Sequence, residues 1–128
     1  MLTNPVSFEG GMALTYASRL QDPMVDDLYE AVLSLENREE CYRFFEDLCT
    51  VGEIKAMAQR WKVVRMLTED RTYSDIIEET GVSTATISRV KKCLYYGADG
   101  YRQILDRQLA PKKQDEPKAG KKQTKNSI

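Results

Sequence analysis

TYSDIIEETGVSTATISRVKKCL, residues Thr72 to Leu94, predicts two short helices that meet at a glycine. The first begins at Thr72, whose hydroxyl caps orphan amides while Asp75, three residues on, reaches back in the reciprocal Ser/Thr-x-x-acid pattern. Ile76, Ile77 and Thr80 supply its inner side. Gly81 stands where the chain must turn sharply, and a residue without a Cβ enters left-handed conformations at little steric cost. Val82 plugs the angle between the helices. Ser83 or Thr84 caps the second helix, along which Ile87, Val90 and Leu94 recur at i, i+3 and i+7 on one face. This is the signature of a helix-turn-helix.

The opposite face of that second helix is small, polar and basic. Thr84, Ala85, Ser88, Arg89 and Lys92 form it, Thr86 and Lys91 lie at its margins, and no acidic residue occurs from Thr84 to Ala98. Hydroxyls, arginine and lysine position a helix on DNA phosphates, arginine also reads guanine, and an alanine or threonine methyl meets the thymine methyl. Ser83, Thr84, Ala85, Thr86, Ser88, Arg89, Lys91 and Lys92 are therefore the candidate contacts to double-stranded DNA. A helix hairpin that touches no nucleic acid is the plain alternative, since glycine between amphipathic helices is common. Capping, glycine, apolar spacing and charge sign together favour DNA binding.

Upstream, Thr50 and Glu53 form a capping box that opens the longest predicted helix, which runs to Thr68. Ile54, Met57, Ala58, Trp61, Val64 and Leu67 keep helical spacing and make it the scaffold beneath the motif, with Arg60, Lys62 and Arg65 as solvated charge around it. Glu69 to Arg71 reads as a polar link. Earlier still, Asn37 with Glu40 starts a helix whose stripe is Cys41, Phe44, Phe45 and Leu48. Helical spacing makes the Phe pair core rather than a ligand platform, and Glu39, Glu40, Glu46 and Asp47 a solvated face rather than an acid/base pair. Asp22 and Pro23 start the helix before it, with Val25, Leu28, Tyr29 and Val32 on its apolar side.

After Leu94, the run Tyr95, Tyr96, Gly97 ends the recognition helix. Asp99 is placed to cap a last helix carrying Tyr101, Ile104, Leu105 and Leu109, which Pro111 stops. Residues 22–109 are thus expected to form one all-α domain. Residues 1–21, with Pro5, Gly10 and Gly11, are expected to be flexible, with a helical turn or two at most between Met12 and Leu20. Residues 110–128 are lysine-rich, and so poor in hydrophobic anchors that disorder is expected. That tail serves solubility or adds non-specific DNA contact.

Composition narrows the function. The chain is 41% hydrophobic and 30% charged, has no apolar run that could span a bilayer and begins without the pattern of a secretory signal. A cytoplasmic protein is expected. The net charge is −1, and the tail from Ala110 holds six lysines against Asp115 and Glu116, so the remainder carries −5. The acidic excess lies largely between Asp22 and Glu53, away from the recognition helix. DNA binding by such a chain should be salt-sensitive and oriented by its own charge asymmetry. Cys41, Cys49 and Cys93 are odd in number and form no C-x-x-C pair, which reads as buried free thiols rather than disulfides. Histidine is absent. With no Gly-rich phosphate loop and no metal cluster either, no catalytic constellation, metal site or cofactor is expected.

The folded part is small, yet its helices carry more apolar stripe than one short bundle can cover. The first two helices are the surplus. Packed against a second copy, they would build a core and set two recognition helices about one DNA turn apart.

These residues resemble the Trp repressor superfamily, and most closely its YerC/YecD branch of Trp-repressor-like proteins. The likeness covers Asp22 to Leu109 in helix order and spacing, and is most specific over GVSTATISR, Gly81 to Arg89, where the repressors carry a similar glycine and an A-T-I-[ST]-R run. The resemblance implies an all-α fold, an intertwined homodimer with a helix-turn-helix that bound L-tryptophan positions in the repressors. It matches Thr84, Ala85 and Ser88 to the base-reading face and Thr86 to a phosphate contact, whereas Ser74 replaces an arginine, so a different operator is expected. Thr50, Arg60 and Arg89 match positions around the corepressor. Val90, however, replaces a glycine against which the indole slides, and Cys93 replaces a serine that holds the amino group. A branched side chain in that slot should clash with a flat ring. The effector set Thr50, Arg60, Arg89, Val90 and Cys93 is thus expected to take another small molecule, or none.

The function expected from sequence is a dimeric, sequence-specific transcriptional regulator of the repressor type. The alternative is a dimeric interaction or structural module that keeps the fold without specific DNA binding.

Overall fold

The computed structural model describes residues 8–9, 12–13 and 16–110. Two strands of two residues precede six helices: β1 (Phe8–Glu9) pairs antiparallel with β2 (Met12–Ala13), Phe8 opposite Ala13 and Glu9 opposite Met12. Among the described residues between Met12 and Leu20 the expected helical turn is not formed. Met12 and Ala13 are extended, and Ser18 diverts the chain into a turn by accepting from the Leu20 N–H through its hydroxyl and from the Gln21 N–H through its carbonyl. The rest of the expected flexible segment, and the lysine-rich tail from residue 111, lie outside the described residues.

The chain divides after Thr50 into two compact units. The first contains α1 (Pro23–Leu33) and α2 (Arg38–Leu48). Each starts where its cap predicts: Asp22 accepts from the Val25 N–H, and Asn37 from the Glu40 N–H, while the Glu40 carboxylate reaches back to the Glu36 N–H. The rings of Phe44 and Phe45 meet edge to face with centroids 5.4 Å apart. Neither helix has a fully buried residue, although both carry an apolar stripe. Tyr29, Leu33 and Leu48 are exposed.

The second unit is α3 (Val51–Thr68), α4 (Tyr73–Thr80), α5 (Thr84–Tyr96) and α6 (Gly100–Leu109). Its core joins Val63, Val64 and Met66 of α3 to Ile76 of α4, Val82 of the turn, and Ile87, Val90 and Leu94 of α5. Trp61, Leu67, Tyr73, Tyr101 and Leu105 pack around them. Each large aliphatic side chain so buried contributes about 1.5–3 kcal/mol. The single stripe expected along α3 is not what is buried: Val63 and Met66 lie off it, while Met57 and Ala58 on it are exposed. Helices α4 and α5 both pack on α3, and cover on two sides buries positions i, i+1 and i+3 together.

Helix α3 ends in a Schellman motif, with Asp70 left-handed at φ 59°, its N–H on the Leu67 carbonyl and the Arg71 N–H on the Met66 carbonyl. Short acidic side chains tolerate that conformation. Asp99, expected to cap α6, precedes it at φ 71° but makes no side-chain cap bond. Capping requires an extended backbone that aims the carboxylate at the first turn, and Asp99 is left-handed.

Candidate nucleic-acid interface

Helices α4 and α5 meet as the sequence predicts. Thr72 accepts from the Asp75 N–H at 3.1 Å, Gly81 is left-handed at φ 77° with its N–H on the Ile77 carbonyl, and Ser83 accepts from the Thr86 N–H at 3.1 Å. Ile87, Val90 and Leu94 are inside, at most 2% exposed, which fixes the outward face of α5. Ser83, Thr84, Ala85, Ser88, Arg89, Lys91 and Lys92 are exposed and Thr86 is half-buried. The eight candidate DNA contacts therefore share the N-terminal cap and the open sides of one helix.

Electrostatics divide the cations into two groups. Lys62 of α3 pairs with Glu79 of α4 at 3.3 Å, and Arg71 reaches Glu79 at 3.2 Å and Asp75 at 3.6 Å. The hydrogen bond from Lys62, then its charge, and after these Arg71, hold the Glu79 carboxyl below its ordinary value. Arg89 and Lys92 have no acidic partner among the described residues, and Lys91 lies 5.9 Å from the centroid of the Tyr73 ring. The charge facing outward from α5 is thus not neutralised by any acid among the described residues. At the other end of α5, Arg102 donates to the Leu94 carbonyl at 3.2 Å and lies over the Tyr95 ring, satisfying a C-terminal carbonyl that the helix leaves open.

The candidate effector residues are placed differently from one another. Thr50 closes the first unit, while Arg60, Arg89 and Cys93 are exposed in the second. Val90 is 2% exposed and belongs to the core. A cleft of about 290 Å³ is bounded by the C-terminal parts of α3 and α5 and by α6, with Leu67, Leu94, Leu105 and Arg102 among its walls; none of the five candidates lines it. The cysteines are free but not buried as expected: Cys41 and Cys49 are half-buried and Cys93 is exposed. Cys93 sits at the margin of the α5 face set by Val90 and Leu94, where the core stops. Among the described residues no helix is long and apolar enough to cross a membrane.

Sequence reasoning missed the residues that tie α4 to its neighbours. Lys62 and Glu79 are too far apart in sequence for any spacing rule. The Arg71 and Asp75 pair, four residues apart, was detectable as an i, i+4 ion pair.

The family profile described as Trp repressor protein matches residues 24–109 of this chain. The uncharacterized protein YerC of Bacillus subtilis (strain 168) is 57% identical over 89 residues, which is 70% of this chain and 86% of that protein. A candidate Trp repressor from Staphylococcus aureus, known from its crystal structure, superposes with a TM-score of 0.68 at 53% identity, covering 70% of this chain and 90% of the other. The crystal structure of a TrpR-like protein from Eubacterium eligens ATCC 27750 gives a TM-score of 0.69 at 49% identity, covering 73% and 98%.

Proposed function

The chain belongs to the Trp repressor family, on its YerC-like branch, and from that premise we propose that it is a sequence-specific transcriptional regulator of the repressor type that reads double-stranded DNA as a homodimer. The observation that carries this reading is the outward face of α5: open hydroxyls and the cations Arg89 and Lys92, without an acidic partner among the described residues, on a helix free of acids, held by a core of buried aliphatic side chains. Ser83, Thr84, Ala85 and Ser88 face the bases and the nearest phosphates, Thr86 takes a phosphate, and Arg89, Lys91 and Lys92 supply charge-assisted contacts.

The homodimer is supported by α1 and α2. Both are capped at their starts, and both leave an apolar stripe without a fully buried residue. A second copy covers such stripes and places two recognition helices about one DNA turn apart, which gives the discrimination a single helix lacks. Tryptophan is not the effector. Val90 is locked in the core at 2% exposure, which leaves no flat surface on α5 for an indole. Micromolar tryptophan binding in a calorimetric titration would overturn that part.

The test of the whole reading is selection of bound duplexes from a random pool by the purified protein, at low and near-physiological salt, with and without a metabolite extract. A two-fold symmetric motif is expected. A folded dimer that recovers no motif under any condition would overturn DNA reading and favour an interaction module.

A further inference from the structure

Three side chains tie α4 to what lies beneath and before it. Gln59 of α3 donates to the Thr80 carbonyl at 3.0 Å, one of the terminal carbonyls that α4 cannot satisfy itself. One turn further along α3, Lys62 pairs with Glu79. From the link before α4, Arg71 reaches forward to both Asp75 and Glu79. Glu79 is the common member: it receives cations from two segments, one under α4 and one at its start. Ile76 anchors the same helix from inside, fully buried, so apolar packing sets the depth of α4 and the polar contacts set its rotation. Beneath α5, Val90 fills the core, and the nearby cleft borders α3, α5 and α6 but not α4.

We propose that Glu79 is the positioning residue of the helix-turn-helix: bridged to Lys62 and Arg71, it holds α4 at the angle that presents α5 to DNA. This rests on the DNA-binding reading above.

The test separates the brace from general charge by using pairs of substitutions that leave net charge unchanged. In the full-length protein, K62M/E79M removes the brace, and K62R/E79D keeps opposite charges at both positions and an acid for Arg71. Exposed ion pairs are individually weak, so the expected loss for K62M/E79M is about three- to tenfold, both in affinity for the selected duplex and in hydrogen-exchange protection of the α4 amides, with α3 core amides unchanged. K62R/E79D should show less than half of each loss on a logarithmic scale. Unchanged α4 exchange in K62M/E79M would overturn the brace, and does so without any DNA in the assay. Absence of duplex binding by the wild-type protein would instead remove the DNA reading on which the proposal stands.

Discussion

Replacing Lys92 by alanine removes from α5 one cation that no described acid neutralises, while leaving every buried residue of that helix in place. Lys92 is exposed, has no acidic partner among the described residues, and lies on the far side from Ile87 and Leu94. A dimer in which Arg89, Lys91 and Lys92 all neutralise phosphates makes six such contacts, so the logarithm of the binding constant should fall with the logarithm of salt at a slope of about −5.4. Between about 50 and 200 mM salt that is a loss of roughly 2,000-fold. Without Lys92 four contacts remain, the slope becomes about −3.6, and the loss over the same interval is roughly 150-fold. The variant should therefore bind more weakly at low salt, and its disadvantage should shrink by about tenfold as salt rises. Fluorescence anisotropy on the selected duplex measures both slopes, with helicity and sedimentation of the free protein as controls. An unchanged slope with unchanged affinity would refute the placement of Lys92 against phosphate. A loss of folding would refute its assignment to the open face.

Further outcomes follow from particular residues. Gly81→Ala meets no atom within 4 Å but must adopt φ 77°, so it should cost about 1 kcal/mol from backbone strain alone, lowering Tm by about 5 °C in calorimetry; Gly81→Asn should cost less. Val90→Ala removes two methyl groups from a nearly fully buried site and should destabilise by about 2 kcal/mol in a denaturant melt, more than any substitution on the outer face of α5. The folded pKa of Glu79 lies below its unfolded value because Lys62 and then Arg71 favour the carboxylate. Its contribution to stability is thus present above the ordinary carboxylate value and disappears as pH falls through the lowered folded value. Glu79→Gln should make unfolding less sensitive to acid in that range, as read by melts from neutral to low pH.

Much of the second unit could be read from the residues because its signals are local. Thr72, Gly81 and Ser83 act within three or four positions of themselves, and Ile87, Val90 and Leu94 repeat at the helical period, so the motif, its boundaries and its inward face followed from spacing. Helix α3 resisted. Its apolar residues are spread around the axis, and which of them are buried depends on how α4 and α5 divide its surface, which no period encodes. Asp99 escaped for a related reason: an aspartate before a helix reads as a cap, and only the backbone dihedral, φ 71°, shows that its carboxylate is not aimed at the first turn. The brace around Glu79 was invisible because Lys62 is tied to it through the fold rather than through the sequence. Among the candidate DNA contacts, exposure is placed by the buried face of the same helix, whereas the effector set came from resemblance alone and gathers around no common cleft.

Helices α1 and α2 are capped at their starts and bury nothing fully within one chain. Their stability is set by whatever covers them, and a free energy of that kind varies with concentration. For a chain covered by its own copy, dilution acts as a denaturant: the melting temperature rises with protein concentration, and newly made chains stay open to proteases until they meet. Under the proposed homodimer, abundance acts on stability and activity together.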